Sequence, residues 1–267
     1  MKSASRSILA VPVLPPAHRA FLAPRAPFSS RRFKTGRLPY VLMNMAMTTD
    51  GKIATSNRAI SSFGSRRDHE HLLALRATAD AVMAGARTVD LNPVNLGPGS
   101  QKYRRLRVKR GLAANNLRII VSRSGSVHPQ AEIFRQRFSP ILVLTTRRAS
   151  HLRLARLRAL ADAVAVCGTR EIDFPGALRW LRREWGVRRL ICEGGGELND
   201  TLFRADMVDE LHLTICPRIA GGRAAPTIAE GLGAASLLDC AKLKPVSFRR
   251  QGDELYLVYH VLKSGGA

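Results

Sequence analysis

Acidic side chains are scarce in this chain, and the first of them is Asp50. The sequence has 20 Asp and Glu against 43 Lys and Arg, which gives a formal net charge of +23. A surplus of this size is typical of proteins that bind a polyanion or anionic small molecules. Long apolar runs are missing as well. None approaches the ~20 residues that span a bilayer, so we expect a soluble protein.

Metal and disulfide signatures are also lacking. The four cysteines are far apart, and among the seven histidines only His69 and His71 are close neighbours. On a helix these two imidazoles would point in different directions, unlike the i, i+4 pair that converges on one ion. The sequence therefore predicts no metal site and no disulfide framework, and it favours a reducing, cytoplasmic compartment.

The amino-terminal segment, residues 1–37, is basic and rich in proline, serine and alanine, without a helical or strand period. We predict that this segment is a disordered leader. An organelle transit peptide, an over-extended start and a basic tail all fit such a composition.

A second basic cluster lies at residues 102–110, where Tyr103 stands among six Lys and Arg side chains. An aromatic ring between basic residues could stack on a nucleic-acid base. We favour a solvated loop or helix face, because no zinc-finger or RNP-type signature accompanies the cluster. A nucleic-acid interface stays open as the alternative.

Apolar strand-like runs alternate with helical patterns through most of the chain. The predicted strands are 40–46, 81–85, 117–122, 141–145, 163–167 and 189–193, and the predicted helices cover about 65–77, 149–161, 175–185 and 197–205. Residues 209–216 alternate apolar and polar side chains as a half-exposed strand does, and Gly252 and Asp253 join two strands of a hairpin. We therefore predict one three-layer α/β domain with a mixed sheet.

The most informative motif is the run from Glu193 through three consecutive glycines to Glu197 and Leu198, directly after an apolar strand. Glycines let the backbone approach a ligand closely, and N–H groups at a helix start attract anions such as a pyrophosphate. Taken alone, the motif fits a nucleotide site and a turn that binds nothing equally well. Glu193 is a candidate ligand-binding acid, because an acid at the end of a buried strand is rarely left without a partner.

Further motifs accompany the glycine run in a fixed order, at residues 45–54, 60–62, 75–77, 82–89 and 208–211. With this order, the segment 38–263 resembles the riboflavin-biosynthesis pyrimidine reductases. In many bacteria this reductase domain is the C-terminal half of a bifunctional deaminase-reductase. The resemblance implies a dihydrofolate-reductase-like fold, with three layers, a mixed and mostly parallel sheet, and a C-terminal antiparallel hairpin.

An activity is implied as well. The resemblance indicates a homodimeric, NADPH-dependent enzyme that reduces the ribosylamino group of a phosphoribosylamino-pyrimidine to ribitylamino. The pyrimidine would be either 5-amino-6-(5-phosphoribosylamino)uracil or its 2,5-diamino precursor. Arg87 beside Thr88 could pair with a 2′-phosphate, which favours NADPH over NADH.

The resemblance implies site residues at matching positions. Implied cofactor contacts are Ala46, Thr88, Gly194, Gly195, Gly196, Glu197 and Leu198. Implied substrate contacts are Ser61, Ser62, Arg76 and Glu193, and implied catalytic residues are Asp50, Lys52 and Glu193. Simpler roles stay open. Asp50 suits a plain turn, Thr88 a helix cap, and Arg76 a solvated helix C-terminus.

Residues 90–110 depart from the family pattern, because the arginine that usually helps to hold the ribose phosphate is absent there. Lys102, Arg104 or Arg105 would have to replace that arginine. The motifs of the deaminase half do not occur in the sequence. Two alternative functions therefore stay open: an NADPH-dependent pterin or dihydrofolate reductase on the same fold, and a nucleic-acid-binding protein that uses the basic cluster.

Overall fold

A computed structural model describes Phe28, residues 35–58 and residues 64–263. The leader predicted for residues 1–37 lies almost entirely outside these residues, and Ser61 and Ser62 lie outside them too. None of the helices in the described part of the chain combines the length and the apolar composition of a membrane span.

The described chain forms a nine-stranded sheet flanked by helices. Its strands are β1 (Tyr40–Thr48), β2 (Ala81–Gly85), β3 (Leu117–Val121), β4 (Ile141–Thr145), β5 (Ala163–Val166), β6 (Arg189–Cys192), β7 (Glu210–Cys216), β8 (Lys242–Gln251) and β9 (Glu254–Leu262). Its helices are α1 (Arg66–Arg76), α2 (Ala86–Leu91), α3 (Gln101–Lys109), α4 (Glu132–Arg135), α5 (His151–Leu160), α6 (Phe174–Glu184) and α7 (Gly196–Arg204).

The strand order across the sheet is β5-β4-β3-β2-β6-β1-β7-β9-β8. Strands β1 to β7 pair in parallel, whereas β9 pairs antiparallel with both β7 and β8. Apolar side chains of the sheet pack against α6 and α7 on one face and against α1, α2, α4 and α5 on the other. The predicted three-layer fold, with a mostly parallel sheet and a C-terminal hairpin, is confirmed.

The strand at 209–216 is more buried than its pattern indicates, so the prediction of a half-exposed strand is wrong. Five of the seven residues of β7 are buried, because this strand lies inside the sheet between β1 and β9. Its polar side chains face groups on α1 instead of water. His212 meets His71 at 3.4 Å, and Thr214 bonds to Asp68.

Ser65 is the N-cap of α1, and its side chain accepts hydrogen bonds from the N–H groups of Arg67 and Asp68. In a complete capping box, the acid at position 68 would in return accept the N–H of Ser65. Glu254 of β9 takes that N–H at 2.6 Å, and it also accepts the Ser65 hydroxyl at 2.7 Å. These bonds attach the first turn of α1 to β9, the strand between β7 and β8.

The basic cluster at residues 102–110 forms α3, and the prediction of a solvated face is only partly right. Tyr103 packs against Leu73 of α1 and against Ala77, which follows the helix, and Arg107 has no exposed surface. Because Tyr103 is buried, its ring is not presented for stacking on a nucleic-acid base. The nucleic-acid alternative loses the feature that suggested it.

His71 gives the first testable prediction. It lies between His212 and Arg249, 3.3 Å from the Arg249 guanidinium, and burial together with these two neighbours lowers its pKa from 6.5 to about 4. Between these two pKa values, His71 is protonated in the unfolded chain but neutral in the folded protein, so a lower pH favours unfolding. His71→Gln should make the free energy of unfolding less dependent on pH between about 4.5 and 6.5. The number of protons taken up on unfolding should fall by up to roughly one.

Urea unfolding at a series of pH values measures this dependence. His151→Gln is the matched control, since His151 is an exposed residue on α5. The same slope in wild type and His71→Gln would show that His71 does not titrate in the way described.

Candidate active site

The predicted glycine turn lies at the carboxyl end of β6, directly beside the carboxyl end of β2. These two strands are parallel neighbours, so both end at the same edge of the sheet. A hydrogen bond of 2.7 Å from the Gly85 N–H to the Gly194 carbonyl joins their two turns. In open α/β sheets, this is the edge at which ligands bind.

Two helices start from these turns. Gly85 is the N-cap of α2 and Gly195 is the N-cap of α7. Glycine has no side chain with which to satisfy the first N–H groups of a helix. The Thr88 hydroxyl is close by, since a Cβ on Gly195 would stand 3.3 Å from it. Helix starts, backbone and a hydroxyl therefore converge on one place, an arrangement that suits a pyrophosphate.

Packing also requires glycine in this turn. Gly194 has a φ of +80°, in the left-handed region that glycine adopts without strain. A Cβ on Gly196 would approach the Thr227 carbonyl oxygen to 2.6 Å. The Gly196 carbonyl accepts the N–H of Glu230 at 2.9 Å. The segment 226–230 therefore rests directly on the start of α7.

The two residues after the glycines face in different directions. Leu198 is buried in the apolar core, so its side chain contributes to packing. Glu197 is exposed and pairs with Arg87 at 3.3 Å and with Arg123 at 3.6 Å. Arg123 follows β3 at this same edge. Sequence reasoning missed Arg123, because no local pattern distinguishes it from the other basic residues.

Glu193 follows the last residue of β6, and its carboxylate forms a two-point ion pair with Arg76 of α1. Nε and Nη2 of Arg76 donate to Oε1 and Oε2 of Glu193, each at 2.6 Å. The two side chains are only 8% and 11% exposed. The remaining nitrogen, Nη1, donates to the Gly97 carbonyl at 2.6 Å. A bidentate pair of this kind fixes both orientations and is stronger than a single hydrogen bond.

The direction of α1 explains why Arg76 reaches this edge. Because α1 connects two strands of one parallel sheet, it runs opposite to those strands. The N-terminus of α1 therefore lies at the carboxyl edge of the sheet. Side chains of a helix lean toward its N-terminus, so the side chain of Arg76 extends toward that edge. The interpretation of Arg76 as a solvated residue is therefore wrong. Its contact with a substrate phosphate stays a prediction.

Asp50 and Lys52 lie in the turn after β1, the strand next to β6. Asp50 accepts hydrogen bonds from the Thr48 hydroxyl at 2.6 Å and from the N–H groups of residues 220–221 at 3.1 and 2.7 Å. These bonds, Thr48 foremost, lower the pKa of Asp50 to about 2. Lys52 Nζ donates to the Ala225 carbonyl at 3.3 Å. Both side chains thus hold the loop after β7 against β1, and their catalytic roles stay predictions.

Ala46 lies on β1 in register with Thr214 of β7. Thr214 bonds to Asp68 of α1, whose pKa is raised by burial and by the nearby Glu254. Tyr256 in turn donates to Glu254 at 2.8 Å. Sequence reasoning missed this polar cluster, because its members come from α1, β7 and β9, which are far apart in the chain.

The structure thus brings most of the predicted site residues to one edge of the sheet. Thr88, Glu193, Arg76 and the three glycines lie at the ends of β2 and β6, while Ala46, Asp50 and Lys52 lie on or after the adjoining β1. Across the described residues, no group of three or more His, Cys, Asp or Glu side chains is placed to hold a metal ion.

Known proteins share this fold and much of this sequence. The chain is 33% identical over 233 residues to the 2,5-diamino-6-ribosylamino-4(3H)-pyrimidinone 5′-phosphate reductase of Methanothermobacter thermautotrophicus. The aligned region covers 84% of this chain and 98% of that protein. It is 34% identical over 193 residues to the protein of the same name from Archaeoglobus fulgidus, and this alignment covers 72% of this chain and 87% of that protein. A pyrimidine reductase-like protein of Corynebacterium diphtheriae has a similar fold, with a TM-score of 0.71, 22% identity and coverage of 85% and 93%.

The family match extends over most of the chain. Residues 39–257 match the model of the RibD C-terminal domain. This range contains every residue of the edge described above, from Ala46 on β1 to Leu198 on α7. The chain therefore belongs to the RibD C-terminal domain family.

Proposed function

We propose that this chain is the NADPH-dependent reductase of 2,5-diamino-6-ribosylamino-4(3H)-pyrimidinone 5′-phosphate, and that it converts the ribosylamino group to ribitylamino. Two relatives about one third identical to it bear the name of that reductase. The observation that carries the proposal is the Arg76–Glu193 pair, which fixes a carboxylate directly before the glycine turn. A diaminopyrimidine offers amino groups to such a carboxylate, and a dinucleotide offers phosphates to such a turn.

NADPH is the proposed cofactor because the turn provides a cradle for its phosphates. Gly195 keeps a side chain out of the space at the start of α7, and Thr88 adds a hydroxyl there. Gly194 supplies the left-handed turn, and Gly196 makes room for the segment 226–230. Arg87 and Arg123, which both pair with Glu197 at this edge, are the proposed partners of the 2′-phosphate. When bound, the dinucleotide supplies the hydride, and the protein orients the reactants.

Glu193 is the proposed acceptor for the amino groups of the pyrimidine. Each of its oxygens accepts one hydrogen bond from Arg76 and keeps a further lone pair for a substrate donor. Because the pair fixes the plane of the carboxylate, recognition of the pyrimidine becomes directional. In this proposal Arg76 orients Glu193, and a contact with the substrate phosphate would require Arg76 to give up one of its present bonds.

Asp50 and Lys52 shape the wall of the site in this proposal. With a pKa of about 2, Asp50 is ionised at neutral pH, so it has no proton to donate to the substrate. Its bonds to the loop after β7 and those of Lys52 hold that loop beside β1. A loop held in this way gives the proposed site a wall of fixed position.

The reaction can be tested directly. Anaerobic incubation with NADPH and the diaminopyrimidinone phosphate should oxidise NADPH and yield the ribitylamino product, as followed by absorbance and mass spectrometry. Glu193→Gln should raise the KM for the pyrimidine by roughly 10- to 100-fold, because a hydrogen bond to a charged group contributes about 1.5–3 kcal/mol. Glu132→Gln is the matched control, since its carboxylate pairs with Arg135 on α4.

The deaminated uracil compound and dihydrofolate serve as comparison substrates. Turnover of dihydrofolate but not of either pyrimidine would assign the chain to the pterin-type alternative. An enzymatic function would be contradicted by two results together: no NADPH oxidation with any substrate, and no rise in Tm with NADPH. A ligand at 100 times its Kd should add about 2.7 kcal/mol of stability.

We propose that the enzyme is a homodimer whose copies meet along β8. This strand forms one edge of the sheet, and all ten of its residues are exposed. Exposed apolar side chains on β8 and the segment before it are Leu232, Leu237, Leu238, Leu243, Val246 and Phe248. A long exposed edge strand offers unpaired backbone groups to another chain, and the exposed apolar side chains add a surface for contact. A two-fold axis would place the same patch on both copies, so each would cover the other.

Phe248→Asp should convert the dimer to a monomer, because it places a charge on a side chain that is 66% exposed in the isolated chain. Sedimentation equilibrium should give twice the chain mass for wild type and the chain mass for the variant. Leu152→Asp is the control, since Leu152 is 71% exposed on α5, away from β8. A wild-type mass equal to that of one chain, or a dimer that survives Phe248→Asp, would contradict this interface.

A further inference from the structure

Residues 92–116, which include α3 and are here called the brace, hold Arg76 at two points. At the side-chain end, the Gly97 carbonyl accepts the Arg76 Nη1 hydrogen bond at 2.6 Å. At the backbone end, Nη1 of Arg107 donates to the Arg76 carbonyl at 2.6 Å and to the Ala79 carbonyl at 2.5 Å. The brace is thus in contact with both the guanidinium of Arg76 and the end of its helix.

Arg107 is suited to this contact by its chemistry. It has no exposed surface, and its Nε donates to the Ala113 carbonyl at 2.8 Å. Burial lowers the pKa of Arg107 to about 10, so the guanidinium is charged at neutral pH. The last carbonyls of α1 carry the negative end of the helix dipole, which compensates a buried cation. The planar fork reaches three carbonyls in different directions, a geometry that the single ammonium of lysine does not reproduce.

The packing of α3 against α1 adds two more restraints on the same turn. The Tyr103 ring packs on Leu73 and Ala77, and Arg110 donates to the Ala77 carbonyl at 3.2 Å. Any rotation of this last turn would break these contacts and would move the Cα of Arg76. Since the Arg76 guanidinium meets Glu193 at two points of 2.6 Å each, a small displacement of its Cα disturbs both bonds.

We infer that Arg107 is a positioning residue for the pyrimidine site: by fixing the last turn of α1 it directs Arg76 to Glu193. The inference rests on the proposed role of Glu193 in binding the pyrimidine. The basic segment at 102–110 thereby has a structural role in the site, through Arg107. Arg107 acts on the substrate through Arg76 and Glu193, without touching the phosphate.

Arg107→Lys tests the inference, with Arg118→Lys as the matched control. Arg118 is equally buried and donates mainly to the carbonyls of Ile133, Gln136 and Ser139, which lie in and after α4. Its contact with the brace is a longer one, of 3.5 Å to the Asn95 carbonyl. Arg107→Lys should raise the KM for the pyrimidine roughly tenfold or more, equivalent to ~1.4 kcal/mol of lost binding. The kcat and the Kd for NADPH should stay near wild type, and Arg118→Lys should leave all three constants near wild type.

A second readout does not need turnover. The Nε–H of Arg76 should give a slowly exchanging ¹⁵N–¹H signal, assigned by its loss in Arg76→Lys. The signal should be lost or shifted in Arg107→Lys and unchanged in Arg118→Lys. If the wild-type enzyme reduces no pyrimidine, the proposed function fails, and the signal alone still decides whether Arg107 positions Arg76.

Two outcomes would overturn the inference. One is an unchanged Arg76 signal and an unchanged KM in Arg107→Lys. The other is an equal change in both lysine variants, which would reflect a general loss of stability. Should Arg107→Lys not fold, Arg107→Gln, which keeps an amide donor at the same position, provides the same test. A raised KM with a shifted Arg76 signal supports the inference, and wild-type values for both refute it.

Discussion

The ion pair between Arg76 and Glu193 is the constraint on which the rest of the site depends. It joins the end of α1 to the residue that follows β6, at the point where the glycine turn begins. Removal of one partner from a buried pair leaves an uncompensated charge, so such a pair holds its surroundings to one geometry. The opposite end of α1 is held by Glu254 of β9 through Ser65. With both ends held, α1 sets the distance between the Glu193 carboxylate and the polar groups of β7 and β9.

Some of the positive charge of the chain is buried in the folded protein. Arg107 and Arg118 have no exposed surface, and they donate to backbone carbonyls at helix and loop ends. Arg76 is neutralised by Glu193. Part of the surplus therefore works inside the fold, where guanidinium groups satisfy carbonyls that would otherwise be buried without partners. Other arginines, such as Arg87 and Arg123, remain at the edge where an anionic cofactor and substrate are proposed to bind.

Features set by local sequence were predictable. The strand before Glu193, the glycine turn and the hairpin at Gly252 depend on neighbouring residues, and all three occur as predicted. The burial of β7 was not predictable from its alternating pattern, because its position between β1 and β9 decides which faces are covered. The bond between Ser65 and Glu254 joins residues 189 positions apart, and that between Arg76 and Glu193 spans 117. Contacts of this kind depend on the assembled sheet. Arg76 and Glu193 were therefore predicted as site residues but not as partners, and the contact of Glu254 was not predicted.

The central claim is that Arg76 and Glu193 act as one unit, and a double-mutant cycle on the free energy of unfolding measures it most directly. The single variants Arg76→Met and Glu193→Gln should each destabilise the protein by about 3 kcal/mol or more, because each leaves a buried charge unpaired. The double variant should cost less than the sum of the two by more than about 1 kcal/mol. Additive effects of the two substitutions would contradict the account.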